Sequence, residues 1–493
     1  MPDPAGDAAL TNSDLAPTPP EQRRWTWWHY ATLWMGMVHN IYNFTWIGGL
    51  VAIGMSVPQA LGIALAGNLI QTVFIGLNGR IGARYGIPFA VWARSAFGVY
   101  GANIVTALRA LTAIGWFAIQ SYLAASAINL LLGTVVPGWD HLTGTWLGMP
   151  TNMWITMVVY WALNFLVTRH GMETVRRFEG WAGPAIFVVM AVLLVLVIRD
   201  AHGVGTMLSA HSKFTSTGSF LAKGFFPALA LYIAGSWSTM VLNIPDLTRF
   251  ARSNRGQFWG TMIGLPLASL VYFGMAGIIV SATERSFGKA YWNPTDVIAA
   301  IGSPWLNIFG ALLLAVATMS VNIPSNVVSA AYDLVNFAPR WITFRRASYL
   351  AMVIAFCFMP WKLMASPDAL YEVLDNIGIA LGPATGLLIA DYFLVRRRRL
   401  DVPALYRIHG RYRGWRGFNP AGIGVLTVGI ALLLVAEFTG PLHVLYEYAW
   451  FVGVAFGFLG YLAVVAVTRA VRRDPPAALE PAGTRGTEAA VAA

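Results

Sequence analysis

Apolar residues gather into twelve long runs, separated by short polar connections. A helix that crosses a bilayer needs about 20 mostly apolar residues, and each run approaches or exceeds that length. The pattern predicts an all-α integral membrane protein with twelve transmembrane helices. The predicted spans lie near 29–52, 58–79, 100–133, 151–168, 181–198, 224–246, 257–281, 304–335, 347–364, 370–395, 421–438 and 448–468.

The eighth run contains an unusual series of polar residues, "ATMSVNIPSNVVSAAYD", from 317 to 333. On a helix that turns about 100° per residue, these polar positions share one narrow face. They are Thr318, Asn322, Ser325, Asn326, Ser329 and Asp333. Since a buried amide is costly unless it is hydrogen-bonded, this face predicts one wall of a polar cavity, with Pro324 bending the helix.

The third run carries a similar face in "RALTAIGWFAIQ", where Arg109, Trp116 and Gln120 lie on one side of the helix. An indole together with side-chain amides is suited to a flat polar molecule, because the ring stacks and the amides read its edge. The two faces together predict a site for such a molecule.

The first and sixth runs are predicted to be interrupted helices. "GMVHNIYNFTWIGG" and "YIAGSWSTMVLNIPD" combine Gly or Ser with polar residues at mid-depth. Taken singly, each is also typical of close packing through small residues. These runs are the first members of two successive sets of five, and such paired interruptions indicate an inverted-repeat transporter.

The pattern divides the chain into a first repeat at 25–200, a second at 219–399 and two final helices at 417–470. The polar ends, 1–24 and 474–493, are predicted to be disordered tails.

Composition supports a membrane protein and gives its orientation. The chain is 57% hydrophobic and 11% charged, whereas soluble domains carry roughly 25% charged residues. With the N-terminus inside, twenty arginines fall in the inner connections and six basic residues in the outer ones. The positive-inside rule therefore predicts that both termini are cytoplasmic. We expect the inner membrane of a bacterium and a functional monomer.

Several other function classes are disfavoured. The net charge of +11 comes largely from arginines at the ends of apolar runs, so it does not indicate nucleic-acid binding. The spans contain no H-E-x-x-H, no G-x-S-x-G and no pair of catalytic carboxylates, and the chain has no phosphate-binding G-x-x-x-x-G-K-[ST]. A channel filter and a sizeable soluble sensor domain are also missing. We expect a transporter rather than an enzyme, a channel or an ATP-driven pump, without a cofactor or a metal.

Several motifs resemble the nucleobase–cation symporter-one family: "NIPDLTRFARS" from Asn243, "LGPATGLLIADYFLVRRRR" from Leu381 and "LYRIHGRYRGWRGFNP" from Leu405. The resemblance runs from about Trp34 to Ala466. Within the family, "WMGMVHNIYNFTWIGGLVAIGM", "RHGMETVRRFEGWAGP" and "MPWKLM" are most similar to bacterial allantoin permeases. The resemblance implies a leucine-transporter-like 5+5 inverted repeat with two further C-terminal helices. It also implies cation symport of allantoin, with hydantoin, uracil, cytosine or a related purine or pyrimidine as alternatives.

The family's hydantoin transporter holds its ligand ring between two tryptophans, while amide side chains read the ring's edge. The resemblance therefore implies that Trp116 and Trp237 cover the ring faces and that Asn326 binds a ureide through both its C=O and its NH₂. Together with Asn322 from the same polar face, the predicted substrate-binding residues are Trp116, Gln120, Trp237, Ser236, Asn326, Asn40 and Asn322.

The family's sodium site maps onto Gly36, His39, Ala317, Ser320 and Val321. The match is incomplete, because a valine side chain cannot coordinate Na⁺, which prefers several oxygen ligands. A proton is therefore preferred over Na⁺ as the coupling ion, with His39 and Asp333 as candidate carriers. Alternatively, His39 is a hydrogen-bonded packing residue and Asp333 pairs with an arginine at the cytoplasmic rim.

Overall fold

A computed structural model describes most of the chain. The described residues are 6–142, 144–168, 212–364 and 367–472, together with 174, 177, 178, 181, 185, 187, 188, 190–192, 194 and 195. Half of the fifth predicted span, 181–198, and all of the C-terminal tail at 474–493 lie outside them. Every other predicted span coincides with a helix or a pair of helices.

Long helices dominate the described residues. Eight helical segments in the described part are long and apolar enough to cross a bilayer. The helices without a break in the middle of the span are Val57–Tyr85, Ala102–Val135, Thr151–Thr168, Asn254–Phe287, Phe344–Cys357, Pro367–Ile389, Pro420–Phe438 and Ala449–Arg472. Pro367–Ile389 continues as a π-helical turn, Ala390–Val395. Outward-facing side chains such as Val428, Phe438 and Leu459 are exposed, as expected for a lipid-facing surface.

Both predicted helix interruptions are confirmed. The first span consists of Trp27–Val38 and Ile41–Ala52. The sixth consists of Thr217–Phe220, a π-helical turn at Leu221–Phe225, and Phe226–Gly235, followed after a break by Ser238–Thr248.

The eighth span is continuous but widened around its proline. It runs as Pro304–Asn322, a π-helical turn at Ile323–Val327, and Val328–Phe337. Proline has no N–H to donate and its ring collides with the preceding turn, so a local widening is the expected accommodation.

Short elements fill the connections. The helices among them are Pro20–Gln22, Phe89–Phe97, Trp139–His141, Pro294–Ile301, Pro360–Leu363, Pro403–Tyr406, Gly440–Leu442 and His443–Glu447. Thr145–Trp146 pairs antiparallel with Met149–Pro150.

Close packing places the broken helices at the centre. The first half of span one packs against span seven, and span two packs against both spans six and seven. A side chain at Gly264 would place its Cβ 2.8 Å from the Cα of Ala31, so this glycine allows the close approach of spans one and seven. Span three packs along span eight. The interrupted and widened segments therefore converge inside the bundle.

The predicted disorder of residues 1–24 is wrong for the described residues 6–24. Leu10 and Leu15 are buried. The guanidinium of Arg249 donates to the carbonyl of Asp14 at 2.8 Å, and the hydroxyl of Tyr406 donates to the carbonyl of Leu15 at 2.7 Å. Polar composition suggested disorder, but side chains from the connections satisfy this segment's backbone and its two leucines are buried.

The same segment contacts several connections that the arginine count assigns to one side. Arg94, between spans two and three, donates to the carbonyl of Leu10 at 2.8 Å. Asn12 donates to the carbonyl of Pro339, between spans eight and nine, at 3.0 Å. Burial raises the pKa of Tyr406, between spans ten and eleven, to about 12, so its phenol stays protonated and remains a donor. We call residues 6–24 the N-terminal strap.

Candidate functional site

The break in span one is held by Asn40. Its carbonyl oxygen accepts from the backbone N–H of Asn43 at 2.9 Å, which caps the second half-helix. Its NH₂ group donates to the carbonyl of Met37 at 2.8 Å and to that of Val38 at 3.4 Å. Both ends of the Asn40 amide therefore satisfy backbone groups that the break leaves without helical partners.

The break in span six is braced by span two. The amide of Gln71 donates to the carbonyl of Ile233 at 2.8 Å, just before the break. Its carbonyl oxygen, turned the other way, accepts from the hydroxyl of Ser236 at 3.0 Å. Further along, Asn78 donates to the carbonyl of Val241 at 2.6 Å. Sequence reasoning missed these amides, although Asn68, Gln71 and Asn78 lie in one apolar run.

A narrow cavity lies where the two breaks meet spans three and eight. In this conformation it has room for about one water molecule, so a larger ligand needs its walls to move apart. The lining residues come from all four spans: Asn40, Tyr42, Asn43, Trp116, Gln120, Gly235, Ser236, Trp237, Thr239, Val321, Ser325 and Asn326. Six of the seven predicted substrate-binding residues are therefore together on its wall, and the seventh, Asn322, is not among them.

The two predicted tryptophans are held by other aromatic rings. The ring of Tyr42 meets Trp116 edge-on at 4.7 Å between centroids, and Trp34 meets Trp237 in the same way at 5.3 Å. Both indoles are about 95% buried. The N–H of Trp237 lies within hydrogen-bonding range of the Tyr232 hydroxyl, whereas that of Trp116 has no hydrogen-bond partner among the described residues. The same holds for the side-chain carbonyl oxygen of Gln120. Buried polar atoms of this kind are costly unless a ligand or water satisfies them.

Asn322 lies behind Asn326 rather than on the cavity wall. The NH₂ of Asn326 donates to the carbonyl oxygen of Asn322 at 2.8 Å. The NH₂ of Asn322 in turn donates to the carbonyl of Phe117 and to the hydroxyl of Tyr160, both at 3.4 Å. This corrects the prediction of direct substrate contact for Asn322, since its whole amide is bonded inside the protein.

Six further residues line the cavity: Tyr42, Asn43, Gly235, Thr239, Val321 and Ser325. Ser325 belongs to the predicted polar face of span eight and Val321 to the predicted cation site. Sequence reasoning missed the other four as site residues, although all four lie within the quoted broken segments.

The five predicted cation-site residues are all buried: Gly36, His39, Ala317, Ser320 and Val321. The first half of span one packs against the first half of span eight, so the two groups lie on neighbouring helices. Val321 lines the cavity and supplies no oxygen from its side chain.

His39 is placed as a packing residue. Its Nδ1 is hydrogen-bonded to the carbonyl of Met35 in the preceding turn. Its ring lies 3.7 Å from that of Phe187 and 4.5 Å from that of Tyr272 between centroids. Its Nε2 has no partner among the described residues. The imidazole is fully buried, and burial away from water is unfavourable for its charged form.

Asp333 is fully buried and lies within electrostatic range of two other buried charged groups, Arg109 and Asp246. Arg109 donates to the carbonyls of Thr239 and Ser325, two residues of the cavity wall, at 3.3 and 3.1 Å. One oxygen of Asp246 accepts from the backbone N–H of Phe89 at 2.8 Å. The three charged groups form a buried cluster directly joined to the cavity wall through Arg109.

Unpaired atoms distinguish this charged cluster from an ordinary ion pair. Both carboxylate oxygens of Asp333, one oxygen of Asp246 and one terminal nitrogen of Arg109 have no hydrogen-bond partner among the described residues. We call Arg109, Asp246 and Asp333 the charged triad.

Comparisons with known proteins agree with this geometry. Residues 17–453 match the model of a family described as "Permease for cytosine/purines, uracil, thiamine, allantoin". The chain is 39% identical over 475 residues to the allantoin permease of Bacillus subtilis, covering 95% of both chains. It is 35% identical over 428 residues to a purine-uracil permease of Arabidopsis thaliana, covering 86% of this chain and 71% of that protein.

Among solved structures, the chain resembles a nucleobase-cation-symport-1 family transporter in a closed conformation with bromovinylhydantoin bound. The TM-score is 0.77 at 26% identity, covering 94% of this chain and 96% of the other. The fold is therefore the leucine-transporter-like one that the sequence resemblance implied.

Proposed function

The chain belongs to the family of permeases for cytosine, purines, uracil, thiamine and allantoin, and from this premise we propose that it imports a small cyclic ureide, allantoin, by proton symport. The observation that carries the proposal is the cavity wall. It combines the indoles of Trp116 and Trp237 with the amides of Gln120 and Asn326, and the N–H of Trp116 and the side-chain oxygen of Gln120 have no partner among the described residues. Flat rings with adjacent N–H and C=O groups fit such a wall.

Ser236 favours allantoin over ligands whose ring carries no ureido arm. The Gln71 amide donates to a backbone carbonyl, so its oxygen faces Ser236 and can only accept. The Ser236 hydrogen is thereby committed to Gln71, and the hydroxyl oxygen remains as an acceptor at the cavity. Allantoin carries a ureido arm with N–H donors, which hydantoin, uracil and cytosine lack. These other ligands are the alternative.

The charged triad supports a proton as the coupling ion. Asp246 also lies within electrostatic range of the buried Arg249, so its charge is opposed by two guanidiniums. Asp333 differs, because neither of its carboxylate oxygens has a hydrogen-bond partner among the described residues. An ionised carboxylate without such partners is costly inside a membrane protein, and a bound proton removes that charge. Val321 weakens the sodium alternative, because that position offers no side-chain oxygen. Asp333, rather than His39, is therefore our candidate proton carrier.

We further propose that the strap side of the molecule is cytoplasmic, in the inner membrane of a bacterium, and that a monomer is the functional unit. The strap supports the first part, since it joins connections that the arginine asymmetry assigns to the inside.

Uptake of radiolabelled allantoin into proteoliposomes tests the proposal. We expect saturable uptake that is driven by an imposed pH gradient, inside alkaline, and proceeds without Na⁺. Hydantoin, uracil and cytosine serve as competitors. Asn326→Ala should abolish uptake while the purified variant still folds. Uptake of a nucleobase in place of allantoin would favour the alternative substrates, and a strict Na⁺ requirement would contradict the proton.

A further inference from the structure

A chain of hydrogen bonds with a fixed direction runs from span four to the cavity. Its members are Tyr160 on span four, Asn322 and Asn326 on span eight, and the backbone carbonyl of Phe117 on span three. Tyr160 and Asn322 are fully buried, and neither is among the cavity-lining residues.

The direction is set at the buried end. A backbone carbonyl can only accept, so the Asn322 amide must turn its NH₂ toward Phe117. The hydroxyl of Tyr160 accepts from the same NH₂ at 3.4 Å. The carbonyl oxygen of Asn322 then faces Asn326. The side chain of Asn326 therefore donates from its NH₂ group to this oxygen, at 2.8 Å. Reversing the Asn326 amide would bring two carbonyl oxygens together, which is unfavourable.

We propose that Tyr160 and Asn322 are positioning residues that fix the amide of Asn326, so that its carbonyl oxygen is the acceptor offered to the substrate. The inference rests on the proposed function and deepens it by naming the substrate class. The ligand must present a ring N–H at this edge, as cyclic ureides and imides do. A ring that presents a nitrogen lone pair there, such as cytosine, meets the acceptor with a second acceptor.

Asn322→Ser tests the inference, because serine cannot bridge from Phe117 to Asn326. Tyr160→Phe removes one hydroxyl but leaves the carbonyl of Phe117 in place, so its effect should be smaller. Binding of uracil and of cytosine is measured on purified protein by calorimetry. The two ligands have nearly the same size but differ at N3, which is N–H in uracil and a lone pair in cytosine. We expect the wild type to prefer uracil. In Asn322→Ser the preference should fall about tenfold, which corresponds to about 1.4 kcal/mol of lost orientation. Tyr122→Phe, on span three and outside the chain of bonds, is the matched control for Tyr160→Phe.

A merely structural role for Asn322 would weaken both ligands by the same factor, and an unchanged ratio in Asn322→Ser would overturn the inference. So would a wild type that binds cytosine as tightly as uracil, or binds neither. If Asn322→Ser cannot be purified in a folded form, Asn322→Leu provides the same comparison, because leucine keeps the side-chain volume without the amide. Binding is measured apart from transport, so retained discrimination without any uptake would refute the transport proposal and leave this inference standing.

Discussion

Replacing Asn40 by alanine is expected to destabilise the protein more than it weakens substrate binding. The sequence predicts that this residue lies at the cavity. Its amide, however, is hydrogen-bonded to backbone groups at the break in span one. Alanine removes the cap on the N–H of Asn43, worth about 1 kcal/mol. It also removes the donor to the carbonyl of Met37, and leaving a buried carbonyl unpaired costs about 1–3 kcal/mol.

The carbonyl of Val38 does not become unpaired in this variant, because it still accepts from the side-chain NH₂ of Asn43 at 2.8 Å. The total loss is therefore about 2–4 kcal/mol. Thermal unfolding of the purified variant in detergent measures it, alongside the affinity for allantoin. Asn40→Ser is the matched control: serine retains the cap but is too short to reach Met37, so its melting temperature should fall between those of wild type and Asn40→Ala.

The result that would refute this reasoning is an Asn40→Ala variant with the melting temperature of the wild type and a large loss of affinity. Asn40 would then be a direct ligand of the substrate, as the sequence resemblance implies. Asn326→Ala provides the reference for a residue that contacts the ligand directly, with uptake lost in a protein that still folds.

Three further predictions address coupling and the strap. Val321→Thr restores a hydroxyl at the second sodium position and should make allantoin uptake respond to a Na⁺ gradient; an unchanged response would show that this side chain does not decide the ion. Asp333→Asn should abolish accumulation driven by a pH gradient while allantoin exchange across the membrane persists; accumulation at the wild-type level would exclude Asp333 as the carrier. Arg249→Ala removes hydrogen bonds to Asp14, Ala16 and Thr18 of 2.8, 2.6 and 2.7 Å, and amide hydrogen exchange over the strap should rise by at least tenfold, against no change for Arg252→Ala.

Periodicity predicted the architecture and the cavity faces because both depend on short-range spacing. Span lengths follow from bilayer thickness, and the Gly–Ser segment around Trp237 and the polar segment around Asn40 mark the breaks. The predicted polar face of span eight also faces the cavity, through Ser325 and Asn326. A helical face, however, does not distinguish the residue that meets the ligand from the residue one turn behind it. Asn326 and Asn322 share the face, and only the acceptors on spans three and four show which of them is inside the protein.

The strap and Gln71 were missed for a different reason. Each depends on partners that are distant in sequence. Residues 6–24 have a composition typical of disorder, and their order comes from Arg249 and Tyr406, more than 200 positions away. In the sequence, Gln71 is a polar residue within an apolar run. Its role becomes visible only in the structure, where the broken backbone of span six lies beside it. Local composition measures what a segment can bury alone and says nothing of donors supplied by other connections.

The polar residues near the cavity therefore perform two tasks that a membrane interior makes equally necessary. Broken helices leave backbone groups unsatisfied where no bulk water reaches, so Asn40 and Gln71 are bonded to the protein before any ligand arrives. Their bonds also determine what remains for the ligand: Gln71 takes the hydrogen of Ser236, and Asn322 takes an N–H of Asn326. In both cases the oxygen is left facing the cavity. A substrate rich in N–H donors is the complement of that arrangement, and we therefore expect Gln71, which holds the break in span six, to affect selectivity as well.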